Sequence, residues 1–460
     1  MAPLTKVHVS VHEQGKHTSL GSAKETSRLY KLEQYATALA ATRRRLQRPR
    51  LSLRSLWPTR KARPFSTVNL GGFEVACMLG RGSFGQVYIG RLAQESRGDE
   101  KNDELVAIKV MDKESLHARG QIRHTLTERR VMMECGSHPF VLKLKCAFQT
   151  ASQVCLVSEY CPGGEVYFHL RRLTRFSEDT ARLYAAQVLD ALAYLHRRSV
   201  AYRDLKCENM LLDATGHVKL ADFGLSRVGV GAFMGARTVC GSAPYMAPEV
   251  LLCHRTQRWR SPIREYGRAA DWWSYGVMLY DLLVGETPFA QVNEILTFRR
   301  ILNVEQVRFP SNVRLSRTAR SLIHLLLQRA PTRRLGCQNV NELYMHPFFA
   351  GIDWSRLRAR GYPAPIAVSS GKATWRSKNF RDEVANFDVD LTHFDVRLLL
   401  GGSQPRSGEG SEASADLDQA FANWDVHRSV DTRLELPQSP RAVSYKSGSI
   451  GAKQPPITIA

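Results

Sequence analysis

Three polar side chains of different chemistry lie close together in the stretch AYRDLKCENMLL, at residues 201–212. Asp204 offers a carboxylate, Lys206 an ammonium group and Asn209 an amide. A carboxylate can accept a proton, an ammonium group can neutralise an anion, and an amide oxygen can bind a metal ion. Apolar residues follow at once and predict a buried segment, so we expect the three groups to be fixed beside a core.

A glycine-rich stretch, GRGSFGQV at residues 80–87, lies between two predicted strands. Glycines allow a tight turn and let backbone N–H groups approach phosphates. An ordinary glycine-rich hairpin explains the same pattern equally well. The stretch is not a dinucleotide-binding fingerprint, because a strand rather than a helix follows it.

Lys109 stands in the sequence VAIK on the next predicted strand. A single lysine on a strand is usually an exposed charge. Here apolar residues flank it on both sides, so a buried ammonium group needs an anionic partner. Glu128, in the helical stretch HTLTERRVMM, is the best candidate, and such a pair would direct Lys109 at nucleotide phosphates.

The elements that must position these groups are indicated by hydrophobic periodicity. The stretches FEVACMLGRGSFGQVYIG and LVAIKVM predict strands, whereas SEDTARLYAAQVLDALAYLH and DWWSYGVMLYDLLVG predict helices. Residues 1–67 read as a basic tail, and from about Gly401 the chain is rich in Ser and Gly and is predicted to be disordered.

A DFG sequence at residues 222–224 follows the strand-like stretch HVKLA. The order of glycine loop, VAIK, RDLKxxN, DFG and APE (247–249) resembles the signature set of protein kinases. Each motif alone has an ordinary explanation, but their joint order does not.

The resemblance to protein kinases implies a role for each residue. Asp204 would accept the proton of the substrate hydroxyl, and Lys206 would neutralise charge on the transferring phosphoryl group. Asn209 and Asp222 would hold two magnesium ions, and ATP would supply the phosphoryl group. The residues expected around the nucleotide are Leu79, Gly80, Arg81, Gly82, Ser83, Phe84, Gly85, Val87, Lys109, Glu159, Glu165 and Phe387.

The sequences YRDLK, HTLTERR, DWWS and PTRRLG narrow the resemblance to the AGC group of Ser/Thr kinases, over residues 73–430. The AGC resemblance implies an α+β, bilobal fold, with a small antiparallel β-sheet lobe plus the αC helix and a larger, mainly helical lobe. The expected divisions are a basic, largely disordered arm at 1–72, a catalytic domain at 73–349, an AGC tail at 350–430 and a disordered C-terminus at 431–460.

Two further matches concern how the large lobe is held together. In the family pattern, Arg334 would pair with Glu249, and Asp271 would brace the backbone of the catalytic loop.

Thr238, in the sequence TVCGS, matches the activation-loop phosphorylation site of the family, on which an upstream kinase would act. Arg203, Arg227 and His124 match the cationic partners of that phosphate. An unmodified loop threonine is the alternative.

Two tail segments resemble AGC tails. NFDVDLT at 386–392 resembles the segment that crosses the nucleotide pocket, with Phe387 near the adenine. FANWD at 421–425 resembles the hydrophobic motif, whose rings, Phe421 and Trp424, would bind a groove beside αC. Asp425 occupies a position that is often a phosphorylated Ser or Thr, so we expect it to supply a permanent negative charge. A chance FxxW in a disordered tail is the alternative.

Glu165, Glu208 and Asp281 match carboxylates with which AGC kinases bind basic residues upstream of the target. We therefore expect protein substrates that carry arginine before the modified Ser or Thr.

Three departures from the family pattern stand out. GSAPY replaces GTPEY at residues 241–245, and Cys207 replaces a proline of the catalytic loop. The chain is also about ten residues longer than usual between Glu249 and Asp271, where a basic insertion spans 253–267. We interpret the insertion as a solvated loop rather than a docking element.

The net charge of +22 is unevenly distributed, because residues 1–70 hold 14 Lys or Arg against three Glu. The basic arm could contact an anionic membrane surface or serve as a nuclear signal, and a merely solvated or autoinhibitory arm is equally consistent. Nine scattered cysteines favour reduced thiols. We find no signal-peptide h-region and no apolar run long enough for a membrane span, so we expect the protein in the cytoplasm, with the nucleus as a second location. We also expect a monomer.

Two other functions are alternatives to that of an active kinase. A catalytically weak pseudokinase scaffold is favoured only by the altered GSAPY segment, since Lys109, Asp204, Asn209 and Asp222 are all present. A nucleic-acid-binding protein built on the basic arm has no strong signal, because interleaved aromatic residues and a known binding module are missing from the pattern.

Overall fold

The computed structural model describes residues 68–70, 73–81, 85–92, 105–253, 264–303, 306–368 and 419–425. Its first part is a six-stranded sheet in the order β1-β2-β3-β4-β6-β5, in which every neighbouring pair is antiparallel. The strands are β1 (Val68–Leu70), β2 (Phe73–Arg81), β3 (Gln86–Leu92), β4 (Leu105–Asp112), β5 (Leu144–Gln149) and β6 (Gln153–Glu159). Helices α1 (Lys113–Ala118) and α2 (Ile122–Cys135) connect β4 to β5.

Strand β4 shows how the pleat places a charged residue in an apolar stretch. Successive side chains of a strand point to opposite faces. Val106, Ile108 and Val110 are buried in a small apolar cluster on one face, so Lys109 points to the other face, where α2 lies. The lysine therefore reaches a helix rather than solvent.

The second part is mainly helical. Its helices are α3 (Val166–Leu173), α4 (Glu178–Arg197), α5 (Pro248–Leu252), α6 (Ala269–Val284), α7 (Glu294–Asn303), α8 (Arg317–Leu326), α9 (Asn341–Tyr344) and α10 (Trp354–Arg358). A three-stranded sheet joins β7 (Gly164–Glu165), β9 (Met210–Leu212) and β10 (Val218–Leu220), and a two-stranded one joins β8 (Val200–Ala201) to β11 (Arg227–Val228). The expected α+β fold, with a small sheet lobe and a larger helical lobe, is confirmed.

Helix α6 is the centre of the helical part, because every one of its residues is buried. Its close contact with α8 needs Gly276, where a Cβ atom would lie 2.8 Å from the Leu326 side chain. The helix ends at Gly285, whose φ of +91° is the left-handed conformation that glycine adopts without strain. No helix among the described residues has the length and apolar character to cross a membrane.

The predicted pair of Arg334 and Glu249 is present and buried. Two parallel hydrogen bonds join the guanidinium group to the carboxylate, at 2.7 and 3.0 Å. Arg334 also donates to the carbonyl of Ala269, and its guanidinium carbon lies 5.4 Å from the centre of the Trp273 ring. The pair therefore ties α5 to the first turn of α6.

We predict that Arg334→Met destabilises the protein by about 3–5 kcal/mol, because it leaves the Glu249 carboxylate buried without a partner. Urea unfolding followed by circular dichroism measures the change. Arg182→Gln, which removes an ion pair with the exposed Asp179, is the control and should cost less than about 1 kcal/mol. Equal effects of the two substitutions would contradict the prediction.

Candidate active site

The loop that carries Asp204 is held by one buried carboxylate. Asp271, in the first turn of α6, accepts hydrogen bonds from the backbone N–H groups of Tyr202 at 2.9 Å and Arg203 at 2.8 Å. The ring of His196 donates to the same carboxylate at 2.7 Å. Arg203 has a φ of +69°, which is strained for a residue with a side chain, so these bonds fix a conformation that the chain would not otherwise keep.

Asp204, Lys206 and Asn209 form one hydrogen-bonded group. Lys206 Nζ lies 2.8 Å from Asp204 Oδ2, and Asn209 Nδ2 donates to the carbonyl and to Oδ2 of Asp204 at 2.8 and 3.1 Å. Ser242, in the altered GSAPY segment, donates both its backbone N–H and its hydroxyl to Asp204 Oδ1 at 3.0 Å. A carboxylate has about four acceptor positions, so a substrate hydroxyl must replace one donor. The neutral, rotatable Ser242 hydroxyl is the easiest of the four to displace.

The Lys206 ammonium group stays charged in this setting. Burial alone would lower its pKa, but the charge and hydrogen bond of Asp204 outweigh burial and raise the pKa. The lysine can therefore offer a positive charge beside Asp204.

Lys109 and Glu128 form the predicted ion pair, with Nζ 2.6 and 2.8 Å from the two carboxylate oxygens. Asp222 Oδ1 lies 3.9 Å from the same ammonium group. Burial would lower the pKa of Lys109, but Glu128 and then Asp222 raise it. The ring of His124 donates to the carbonyl of Gly224 at 2.9 Å, so helix α2 holds the lysine and the DFG segment together.

The residues predicted to hold magnesium fit that ion. Asn209 uses its amide N–H groups for Asp204, which leaves its oxygen as the atom for a metal, and the Asp222 carboxylate is half exposed. Within the described residues, no group of three or more His, Cys, Asp or Glu side chains is placed to hold a metal. Magnesium would therefore take two side-chain oxygens together with phosphate oxygens and water, which is its usual preference.

Only some of the predicted nucleotide residues lie among those that the structure describes. Leu79 is buried at the end of β2. Gly85 is required where it stands, because a Cβ atom there would lie 2.4 Å from the Val110 carbonyl oxygen. Gly82, Ser83, Phe84, the side chain of Arg81 and Phe387 lie outside the described residues.

The Glu159 side chain has other partners than a nucleotide. Its carboxylate lies 2.8 Å from Lys219 Nζ and accepts the backbone N–H of Lys143 at 2.8 Å. The structure thus gives the Glu159 side chain a role in joining Lys143 and Lys219, and the predicted contact with the nucleotide stays a prediction.

Thr238 is joined to one of its three predicted partners. Arg203 donates to the Thr238 hydroxyl at 2.8 Å. Arg227 lies on β11, and His124 holds Gly224. Sequence reasoning missed Tyr266, whose hydroxyl donates to the Thr238 carbonyl at 2.7 Å and accepts from Arg203 at 3.1 Å. Tyr266 lies near the C-terminal end of the insertion, where no local pattern marks it as a partner of Thr238.

The three carboxylates predicted to bind the substrate differ in burial and in hydrogen bonding. Glu165 is half-buried at the start of α3. Glu208 Oε2 and Asp281 Oδ1 are buried and have no hydrogen-bond partner. Burial is the main cause that raises the pKa of both carboxyl groups. Buried carboxylate oxygens without donors are unfavourable, so they indicate a site that a cation completes.

Arg171, which sequence reasoning missed, already lies near this site. Its guanidinium nitrogen is 3.7 Å from Asp281 Oδ1, while a second nitrogen donates to the Gly285 carbonyl at 2.9 Å. The Tyr245 hydroxyl donates to Asp281 Oδ2 at 2.7 Å and fixes the carboxylate.

Phe421 and Trp424 are fully buried against the small lobe. The Trp424 indole N–H donates to the Phe148 carbonyl at 2.9 Å, and Gln149 donates to the Phe421 carbonyl at 3.1 Å. Arg129, which follows Glu128 on α2, donates to the Asn423 carbonyl at 2.5 Å and lies 5.5 Å from the Trp424 ring centre. The motif therefore binds the small lobe. This contact argues against the alternative that the FxxW sequence occurs by chance in a disordered tail. Its contact with α2 comes through Arg129, a residue that sequence reasoning missed.

Comparisons with known proteins bear on the family of the chain. A family model described as the protein kinase domain matches residues 73–349. The chain is 40% identical over 345 residues to the RAC-beta serine/threonine-protein kinase of Homo sapiens, which is 74% of this chain and 66% of the relative. It is 38% identical over 336 residues to the RAC serine/threonine-protein kinase of Drosophila melanogaster, covering 73% of this chain and 51% of that protein. The chain thus spans about half to two thirds of these relatives.

We predict that Trp424→Ala releases the tail motif from the small lobe, because it removes a buried ring and the indole hydrogen bond. Hydrogen exchange of the amides at 419–425 should become fast, and the local stability should fall by about 3–5 kcal/mol. Asn423→Ala is the matched control, since only the backbone of Asn423 contacts Arg129. Protected amides in the Trp424 variant would contradict the prediction.

Proposed function

The chain belongs to the protein kinase family, and we propose that it is an ATP- and magnesium-dependent Ser/Thr kinase of the AGC group. One observation carries the proposal: Asp204, Lys206 and Asn209 share a single hydrogen-bonded group. A second hydrogen-bonded unit, the Lys109–Glu128 pair, lies 3.9 Å from the Asp222 carboxylate.

The reaction assigns a task to each of these side chains. The substrate hydroxyl oxygen forms a bond to the γ-phosphorus while the bond to the β,γ-bridging oxygen breaks and ADP leaves. Asp204 orients the hydroxyl and accepts its proton, and Lys206 neutralises charge on the transferring group. Lys109 contacts the phosphates, and Asn209 and Asp222 hold magnesium, which supplies further positive charge.

The pseudokinase scaffold receives little support from the altered GSAPY segment. Ser242 keeps its hydrogen bonds to Asp204 and to Lys206. Pro244 lies in a 3₁₀ turn at Ala243–Tyr245, and proline is well suited to the start of a helical turn. The departure therefore leaves the catalytic contacts in place.

The preference for basic substrates rests on the two unpartnered carboxylate oxygens of Glu208 and Asp281. An arginine upstream of the target would bind them through charge-assisted hydrogen bonds. Arg171 is a competitor within the chain, because its guanidinium group lies 3.7 Å from Asp281.

Regulation is proposed at two places. An upstream kinase would phosphorylate Thr238, and the phosphate would bind Arg203, which already donates to the hydroxyl. At the tail motif, burial lowers the pKa of Arg129, and the negative charge of Asp425 offsets part of that effect. The acidic side chain thus supplies, without modification, a charge that favours docking of Trp424 onto α2.

The charge of the basic arm is the ground on which we propose a location and further partners. The basic arm at 1–72 would contact an anionic membrane surface or a nuclear import receptor, and the protein would act as a monomer in the cytoplasm and the nucleus.

We predict that Asp204→Asn lowers the rate of phosphate transfer from ATP to an arginine-containing serine peptide by at least about 100-fold, because the general base is lost. A radiometric assay measures the rate, and Asp179→Asn on the surface is the control. ATP binding should survive. A wild-type enzyme that binds ATP but transfers no phosphate would favour the scaffold.

We predict that Glu208→Gln raises KM roughly 10-fold for a serine peptide with two upstream arginines, since one charged hydrogen bond is weakened. KM for the same peptide with glutamines in place of arginines should not change. Arg171→Gln should lower KM for the arginine peptide, because the internal competitor for Asp281 is removed. Equal KM values for both peptides would contradict the proposed preference.

A further inference from the structure

The activation loop before Thr238 is paired with the C-terminal end of the basic insertion and with the residues directly after it. Ala236 and Tyr266 exchange two backbone hydrogen bonds, of 3.0 and 2.8 Å. The N–H of Arg268 donates to the Gly231 carbonyl at 2.9 Å. The loop therefore rests along residues 264–269 over much of its length.

Only glycine fits between the two segments at position 267. A Cβ atom on Gly267 would lie 2.3 Å from the backbone of Ala232. The Cys253 thiol, on the other side of the insertion, lies 3.2 Å from the Arg264 carbonyl oxygen. The two ends of the insertion are thus brought together directly beside the activation loop.

Glu265 adds a charged contact to this pairing. Its Oε2 accepts the backbone N–H of Gly235 at 3.1 Å, and its Oε1 accepts Arg237 Nε at 2.5 Å. A second guanidinium nitrogen of Arg237 also contacts Oε1. Glu265 is thus bonded on both sides of Ala236 and within three residues of Thr238.

The positive charges near Thr238 bear on the role of Glu265. Arg203 contacts the Thr238 hydroxyl, and Arg237 is its neighbour in the chain. The pKa of Glu265 is lowered, first by the hydrogen bond from Arg237 and further by the charges of Arg237 and Arg227. A carboxylate therefore already binds the arginine next to Thr238, and the charge of Arg227, a predicted partner of the phosphate, acts on the same carboxylate.

We propose that Glu265 is a positioning residue of the activation loop, and that it supplies part of the negative charge that phosphorylation of Thr238 supplies later. The inference rests on the proposed function, because it concerns the regulation of the same site. In the unphosphorylated enzyme, Glu265 holds Gly235 and Arg237 in place. After phosphorylation, the phosphate binds Arg203 and fixes the loop from there, so Glu265 becomes largely redundant.

The test compares Glu265→Gln in two forms of the full chain. One form carries Thr238→Ala, and the other carries phosphothreonine introduced at position 238 during translation. Both kcat/KM for an arginine-containing serine peptide and hydrogen exchange of the amides at 231–239 are measured. We expect Glu265→Gln to lower kcat/KM roughly fivefold and to speed exchange in the unphosphorylated form, with less than a twofold change in the phosphorylated form.

Two further variants separate charge from packing, both in the Thr238→Ala background. Arg237→Glu alone should resemble Glu265→Gln, whereas the charge-swapped double variant with Arg237→Glu and Glu265→Arg should regain most of the lost activity and protection. Asp179→Asn removes an arginine–carboxylate pair of α4 and is the matched control, for which no change is expected.

Equal losses in the two phosphorylation states would overturn the inference and assign Glu265 a merely structural role. No effect in the unphosphorylated form would overturn it as well. If no form transfers phosphate, the proposed function fails. The exchange data then still decide the positioning role: faster exchange in the unphosphorylated form alone supports it, and unchanged exchange refutes it.

Discussion

The buried carboxylate of Asp271 is the interaction on which the catalytic geometry depends. It accepts hydrogen bonds from two consecutive backbone N–H groups, those of Tyr202 and Arg203. The strain at Arg203, with φ of +69°, would cost about 1–3 kcal/mol without such support. Asp204 follows directly in the chain, so the direction of its carboxylate is set by a residue about 70 positions further along the sequence.

Asp271 can do this because its own helix cannot move. Helix α6 is buried all round, and the Arg334–Glu249 pair ties α5 to its first turn. The helical core thus acts on the reaction through a short chain of contacts, from α6 to Asp271 and from Asp271 to the loop. The contacts that stabilise the large lobe therefore also hold the loop that carries Asp204.

Helix α2 plays the corresponding part in the small lobe. Its residues His124, Glu128 and Arg129 contact the DFG segment, Lys109 and the tail motif, respectively. Positions four residues apart lie on one helical face, which explains how His124 and Glu128 both reach the cleft. Arg129, one position further on, points to a different side and meets Trp424. A shift of this one helix would therefore change all three contacts together.

Contacts between residues of short motifs could be predicted from the sequence. Contacts that depend on the path of a loop could not. The Lys109–Glu128 pair was predicted because a lysine among apolar residues needs an anionic partner, whereas the brace by Asp271 and the bilobal fold were implied by the resemblance to AGC kinases. The 253–267 segment, interpreted as a solvated loop, instead has its end paired with the activation loop through Glu265 and Tyr266. No propensity or periodicity encodes that pairing, since it depends on where a loop returns after ten residues outside the described part of the chain. Arg171 was missed for a similar reason, because its partner Asp281 lies 110 residues away in the sequence and meets it only in the folded chain.

Asp425 and Glu265 have one feature in common, and it bears on how such an enzyme would be controlled. Each places a carboxylate near an arginine, Arg129 and Arg237 respectively, at a point where a phosphate is the expected anion. A carboxylate carries one negative charge and a phosphate nearly two, so a carboxylate can hold an arginine but recruits fewer donors. An enzyme built in this way keeps a partly organised active site without modification, and phosphorylation of Thr238 then adds to an arrangement that already exists. Control would accordingly be graded rather than all-or-none, because the two proposed anions stabilise the loop and the tail motif independently of any upstream enzyme.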